Sequence, residues 1–168
     1  MAARDLVAAA AEALARRLTV ALVEQPYRVA GRRSPAPAAQ LDTAWIAVVE
    51  HLRAGELAGL PLVVGGRSSG ARVACRTAAA TGAAGVLCLA FPLRPPPRRS
   101  STAAPSRLSE LDAVQVPTLV VQGERDRFGI PPESALRSVV QVRGDHALRT
   151  GLEGVSTAVA AWLDSVFA

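Results

Sequence analysis

The chain has 168 residues, half of them hydrophobic, and a net charge of +5 carried by 19 basic residues, every one an arginine. That length accommodates one domain with a single core that folds without disulfides or metal. The lack of lysine excludes Schiff-base and P-loop lysine chemistry, and no segment approaches the roughly 18 uninterrupted apolar residues of a membrane span.

The N-terminal stretch MAARDLVAAAAEALARRL predicts a helix with Leu6, Ala10 and Leu14 on one face and Asp5 as its N-cap. Asp5 and Glu12 interrupt it too early for a signal-peptide core or a transit peptide, so a cytoplasmic protein is expected. TVALVEQP, Thr19 to Pro26, reads as the first strand, and a turn-rich loop through YRVAGRRSPAPAAQ follows. Leu41, Trp45, Val48, Val49 and Leu52 then share one helical stripe.

Further on, LPLVVGG reads as a strand, SGARVACRTAAA as a helix and AGVLCLAF as a strand. PLRPPPRRSSTAAPS, within residues 92–106, is too rich in proline for regular structure and predicts an exposed, mobile loop. A short helix SELDAV, the strand PTLVVQGE, a helix begun by PPESALRS and the strand VVQVRG come next. Val155, Val159 and Trp162 mark a closing helix. Continuous β-branched runs alternating with helices predict an α/β fold, a mostly parallel five-stranded sheet with helices on both faces, in one domain spanning 1–168. In such sheets ligands gather at the carboxyl ends of the strands.

Scattered arginines and few aromatics give no stacking platform for nucleic acid, so no nucleic-acid or membrane partner is expected. Cys75 and Cys88 have no zinc or CxxC spacing and read as small buried hydrophobes in a reducing compartment. Neither GxGxxG nor GxxxxGK[ST] is present, which weakens a nucleotide-binding reading.

The segment Gly66, Arg67, Ser68, Ser69, Gly70 is a G-x-S-x-G closing one predicted strand and opening a helix, the setting of a nucleophile elbow. On so sharp a turn the residues two positions either side of the nucleophile crowd each other. Ser68 has Gly66 and Gly70 there, whereas Ser69 would have Arg67 and Ala71. Ser68 is therefore the candidate nucleophile, and the N–H of Ser69 would face a developing oxyanion. The plain alternative is a glycine-rich turn with a capping serine.

A serine hydroxyl needs a base within hydrogen-bond reach. Of two histidines, His51 lies near the end of a helical stripe and reads as a solvated surface residue. His146, in RGDHALRT past the last strand, is the candidate base. Glu124 and Asp126 both follow their strand in VVQGERDRFG, and Asp126, farther into the loop, is favoured to orient the imidazole. Its alternative is a surface ion pair with Arg125 or Arg127, and Asp145 is less suited because it adjoins His146. Tyr27 and Arg28, at another strand end, are substrate-contact candidates and equally fit an ordinary loop.

The chain order Ser68, Asp126, His146, together with GGRSSGAR, LVVQGERDRFG and RGDHAL, resembles the α/β-hydrolase superfamily over nearly the whole chain. It resembles in particular the small dienelactone-hydrolase-like members, and LAFPLRPP is similar to one branch of the family in which no bulky lid follows, so 92–106 stands in place of a lid. The resemblance implies acyl-enzyme chemistry on a small-molecule acyl substrate with no metal or organic cofactor. It also implies a second oxyanion donor on a His-Gly-Gly-type loop after an earlier, mid-sheet strand. The sequence has no His-Gly pair and Met1 stands almost at the first helix. The expectation is an N-terminally truncated α/β-hydrolase fold, from a start codon set too far downstream, whose sheet either gapes or closes its neighbouring strands together. An unpaired edge of that kind could drive homodimerisation. A non-catalytic binding or scaffold domain that keeps the elbow for structural reasons is the competing reading.

Overall fold

Four short runs rich in valine and leucine form the sheet: β1 (Val63–Arg67), β2 (Gly85–Leu89), β3 (Thr118–Gly123) and β4 (Arg137–Val142). The computed structural model describes residues 3–95 and 105–168. All three ladders are parallel and the spatial order is β1-β2-β3-β4, so every strand points its carboxyl end to the same edge. Parallel neighbours require crossovers, and the helices supply them.

The strands alternate their side chains between two apolar layers. Val64, Val86, Cys88 and Val120 pack with Ala71, Ala74 and Cys75 of α4 (Ser69–Thr81). Leu89, Leu119, Val121 and Val142 face Ala9 of α1 (Arg4–Ala15) and Val155, Val159 and Trp162 of α6 (Leu152–Val166). On the first side α3 (Ala38–Ala54) and α5 (Leu108–Asp112) flank α4. Arg76 binds Asp42 on α3 while Arg72 binds Glu110 on α5, which clamps the three together. Helices thus cover both faces, as a sheet with few exposed apolar faces requires.

Several expectations are corrected. The run Thr19 to Pro26 is no strand: it pairs with nothing, and Leu22 is 63 % exposed. A strand is stabilised by its ladder, and this run is separated from the outer edge of β1 by an apolar cleft of about 370 Å³, bordered by Leu6, Ala9, Val20, Trp45, Leu52 and Leu62. Among the described residues the sheet has four strands rather than five, and β1 is its edge beside that cleft. Asp5 does not cap α1; Ala3 occupies the N-cap, and Asp5 lies buried in the first turn. The buried face of α1 runs through Leu6, Ala9 and Ala13, leaving Leu14 60 % exposed.

PPESALRS forms no helix. Ser134 and Arg137 close a tight antiparallel bridge, and buried Arg137 is held by the Pro132 carbonyl and Asp112. The segment therefore turns directly into β4. The proline-rich loop has a pinned base: Leu93 is buried, Arg107 N–H donates to the Leu93 carbonyl at 2.8 Å, and the Arg107 guanidinium donates to Pro92 O. Residues 96–104 of that loop lie outside the described residues.

Candidate active site

Three strand ends converge on one point. β1 ends at Arg67 and the next residue, Ser68, turns with φ 54° and ψ −111° before α4 begins. That positive φ strains a residue bearing a Cβ. It is held by Ser68 N–H donating to Leu89 O at the end of β2, and by Arg72 N–H donating to Ser68 O. The crowding across the elbow falls on one side. A Cβ on Gly66 would stand 2.5 Å from the Gly70 carbonyl carbon, whereas a Cβ on Gly70 would meet nothing within 4 Å.

Ser68 occupies the N-cap position of α4, yet its side chain makes no capping bond. Its Oγ lies 2.9 Å from Nε2 of His146 instead. That answers the capping-serine alternative: the hydroxyl is turned away from the helix it precedes.

Asp126 follows β3 and His146 follows β4. The two loops can approach because Gly123, the last residue of β3, carries no side chain. A Cβ there would fall within 3 Å of the backbone of Gly144 and Asp145. Nδ1–H of His146 donates to Oδ2 of Asp126 at 2.8 Å. An ionised carboxylate only accepts, so this bond assigns the tautomer and leaves Nε2 free to accept the Ser68 hydroxyl proton.

The Asp126 side chain is fully buried and forms no ion pair with Arg125 or Arg127. Its oxygens accept from Phe128 N–H at 2.9 Å and from the Gln122 amide at 2.8 Å. Gln122, itself buried, also donates to Phe91 O and Gly129 O. The Phe128 ring packs against the imidazole at a centroid distance of 4.4 Å. The carboxylate is thus directed at the imidazole from a dry, hydrogen-bonded base, an arrangement suited to stabilising an imidazolium.

Ser69 is the first residue of α4, so its N–H belongs to the unpaired first turn beside Ser68. His51 is exposed on α3, Glu124 is exposed, and Asp145 turns its carboxylate to Ala147 N–H. Tyr27 and Arg28 are not brought to this point. Both lie in the short helix α2 (Pro26–Val29), where Tyr27, 7 % exposed, packs with Leu41 and Val73 while the Arg28 guanidinium lies 5.7 Å from its ring centroid.

Gln122, Phe128 and Arg67 were not singled out by sequence reasoning. Gln122 had a signal, being the one amide in the mostly apolar run TLVVQG. Phe128 and Arg67 had none, since their roles depend on contacts between distant loops.

A family model described as "Alpha/beta hydrolase domain" matches residues 2–151, and the chain belongs to that family. Solved structures share the fold at low identity. A candidate hydrolase of the α/β superfamily from Xanthomonas campestris pv. campestris is 18 % identical with a TM-score of 0.63, over 96 % of this chain and 90 % of its own. An α/β serine hydrolase homologue from Coxiella burnetii is 16 % identical with a TM-score of 0.64, over 94 % and 75 %. A lid-free α/β serine hydrolase from Xanthomonas campestris is 21 % identical with a TM-score of 0.58, over 80 % and 60 %. No curated protein matches the chain. Among the described residues no helix is long and apolar enough to cross a membrane.

Proposed function

We propose that the protein is a serine hydrolase of small esters, lactones or thioesters, of the dienelactone-hydrolase-like kind, acting through an acyl-enzyme. The observation that carries this reading is the unbroken line Asp126 Oδ2, His146 Nδ1 and Nε2, Ser68 Oγ, with steps of 2.8 and 2.9 Å. Ser68 Oγ bonds to the acyl carbon as its proton passes to His146 Nε2, and the carbonyl electron pair moves onto oxygen beside Ser69 N–H. The bond to the leaving group then breaks, and the leaving group takes the proton from Nε2. Water repeats the sequence on the acyl-enzyme, releasing the acid and restoring Ser68. Asp126 keeps the imidazole in its working tautomer and stabilises its charged form. No step calls for a metal or organic cofactor.

We also propose that turnover by this chain is slow. Ser69 offers one oxyanion donor, the sequence has no His-Gly pair to supply the second, and an apolar cleft borders the outer edge of β1. A missing donor costs about 2.7–4 kcal/mol, or roughly 10²–10³ in turnover.

A fluorophosphonate probe tests the reading, because Ser68 Oγ must displace fluoride from phosphorus with its proton leaving to His146. Labelling that disappears in Ser68→Ala and falls sharply in His146→Ala supports it. A folded chain that takes no label refutes it and favours a non-catalytic binding domain.

A further inference from the structure

The guanidinium of Arg67 spans the elbow. Its Nε–H donates to Asp5 Oδ2 on α1 at 2.8 Å, and its Nη2 donates to the backbone carbonyl of His146, also at 2.8 Å. Asp5 is a carboxylate only 1 % exposed, placed on a helix rich in alanine. A buried carboxylate is costly unless paired, so this one has a fixed guanidinium as its reason for being there. Arg67 also directly precedes Ser68, so one planar fork connects the nucleophile's strand to the backbone of the histidine.

The histidine loop needs such an anchor. It leaves β4 through Gly144 at φ 128° and passes Leu148 at φ 50°, two conformations that give it no regular support. On its acid-loop side it is held by Arg125 N–H donating to Gly144 O at 2.9 Å. On its serine side, Arg67 holds the backbone of His146 itself. The imidazole is thus positioned from both flanks, and on the flank nearer Ser68 the hydrogen bond to the His146 backbone comes from Arg67.

We infer that Arg67, locked by Asp5, is a positioning residue that sets the distance between His146 and Ser68; the inference rests on the hydrolase reading above. Lysine has a single point charge and no rigid fork. Arg67→Lys therefore keeps the partner of buried Asp5 and gives up the His146 carbonyl. A 1 Å displacement of a catalytic group is worth on the order of 10² in rate.

The experiment compares wild type, Arg67→Lys and Asp5→Asn on the full chain by three readouts. These are the fluorophosphonate labelling rate, steady-state hydrolysis of p-nitrophenyl acetate, and hydrogen exchange of the Ala147 and Leu148 amides. Expected in both folded variants are labelling and kcat lowered about 10- to 100-fold with KM nearly unchanged, and faster exchange at those two amides while Phe128 keeps its protection. Wild-type labelling, kcat and exchange in a folded Arg67→Lys overturn the inference. If Asp5→Asn alone fails to fold, Arg67→Lys decides. If wild type takes no label, the hydrolase reading falls instead. The positioning claim is then decided by exchange, where unchanged Ala147 and Leu148 protection in Arg67→Lys sinks it.

Discussion

A methyl group on residue 66 would stand 2.5 Å from a backbone carbon of residue 70, closer than any Cβ can come, whereas residue 70 has open space around its own. The two glycines of the elbow are therefore unequal. Gly66→Ala should push α4 away from β1 and abolish fluorophosphonate labelling. Gly70→Ala should keep labelling and not lower the Tm, because alanine is the better helix residue. Equal effects of the two substitutions would contradict the elbow geometry. Asp126 offers a second test. Asp126→Asn preserves the volume of its buried side chain but sets an amide N–H against a buried donor and can hold the imidazole in the wrong tautomer, so kcat should fall on the order of 10⁴ and the Tm should drop. A small loss of kcat would mean that the carboxylate is not what fixes His146.

Between elements, the core behind the elbow is joined by a pair of thiols. Cys75 on α4 and Cys88 on β2 are both buried with their sulfurs 3.4 Å apart. The hydrogen bond with Cys75, which favours the protonated Cys88 S–H, and then burial, push the Cys88 thiol well above its ordinary value. A neutral, shielded thiol is a poor nucleophile. Iodoacetamide should therefore leave Cys88 unmodified in the native chain and modify it once the chain is unfolded; rapid native modification would show that α4 separates from β2.

The contact between α1 and α6 carries its own pH dependence. Arg16 bonds Asp164 through Nε and Nη2, and this hydrogen bond, with the charge of the guanidinium, holds the Asp164 carboxyl below its ordinary value of 3.8. A depressed acid stabilises the fold above its unfolded value, and that contribution is lost as pH falls through the folded one. The tie is intact at neutral pH and weakens in acid below the ordinary carboxyl value. Because the pair is exposed the effect is small. Asp164→Asn should lower the Tm slightly at neutral pH and converge with wild type in strong acid.

At the scale of the molecule, the sheet has two edges of different character. β4 is an edge with a half-exposed strand, whereas β1, the other edge, faces the apolar cleft with no strand on its outer side among the described residues. Apolar walls beside an open ladder edge bind hydrophobic probes and invite association. The native chain should enhance 1-anilinonaphthalene-8-sulfonate fluorescence without denaturant, and its sedimentation coefficient should rise with concentration. A probe-silent, strictly monomeric chain would show that the cleft is closed in solution.

The amino-acid pattern alone determined what depends on neighbours in the chain. The runs of valine and leucine became β1 to β4, the closing helix buries Val155, Val159 and Trp162, and the turn at Ser68 could be read because its glycine spacing is a local steric requirement. Position after a strand favoured His146 over His51, and depth in the loop favoured Asp126 over Glu124; the structure places His146 Nδ1 2.8 Å from Asp126 Oδ2. Thr19 to Pro26 shows where that reasoning stops. Its β-branched composition suits a strand, but a strand exists only when another backbone lies beside it, and there a cleft lies instead. Asp5 shows the same limit at one residue. It sits where a cap is expected, yet its partner is 62 positions away at Arg67. Tertiary structure decided such pairings because hydrogen bonds and ion pairs between remote loops depend on the packed sheet that brings the loops together, and no local pattern encodes that distance.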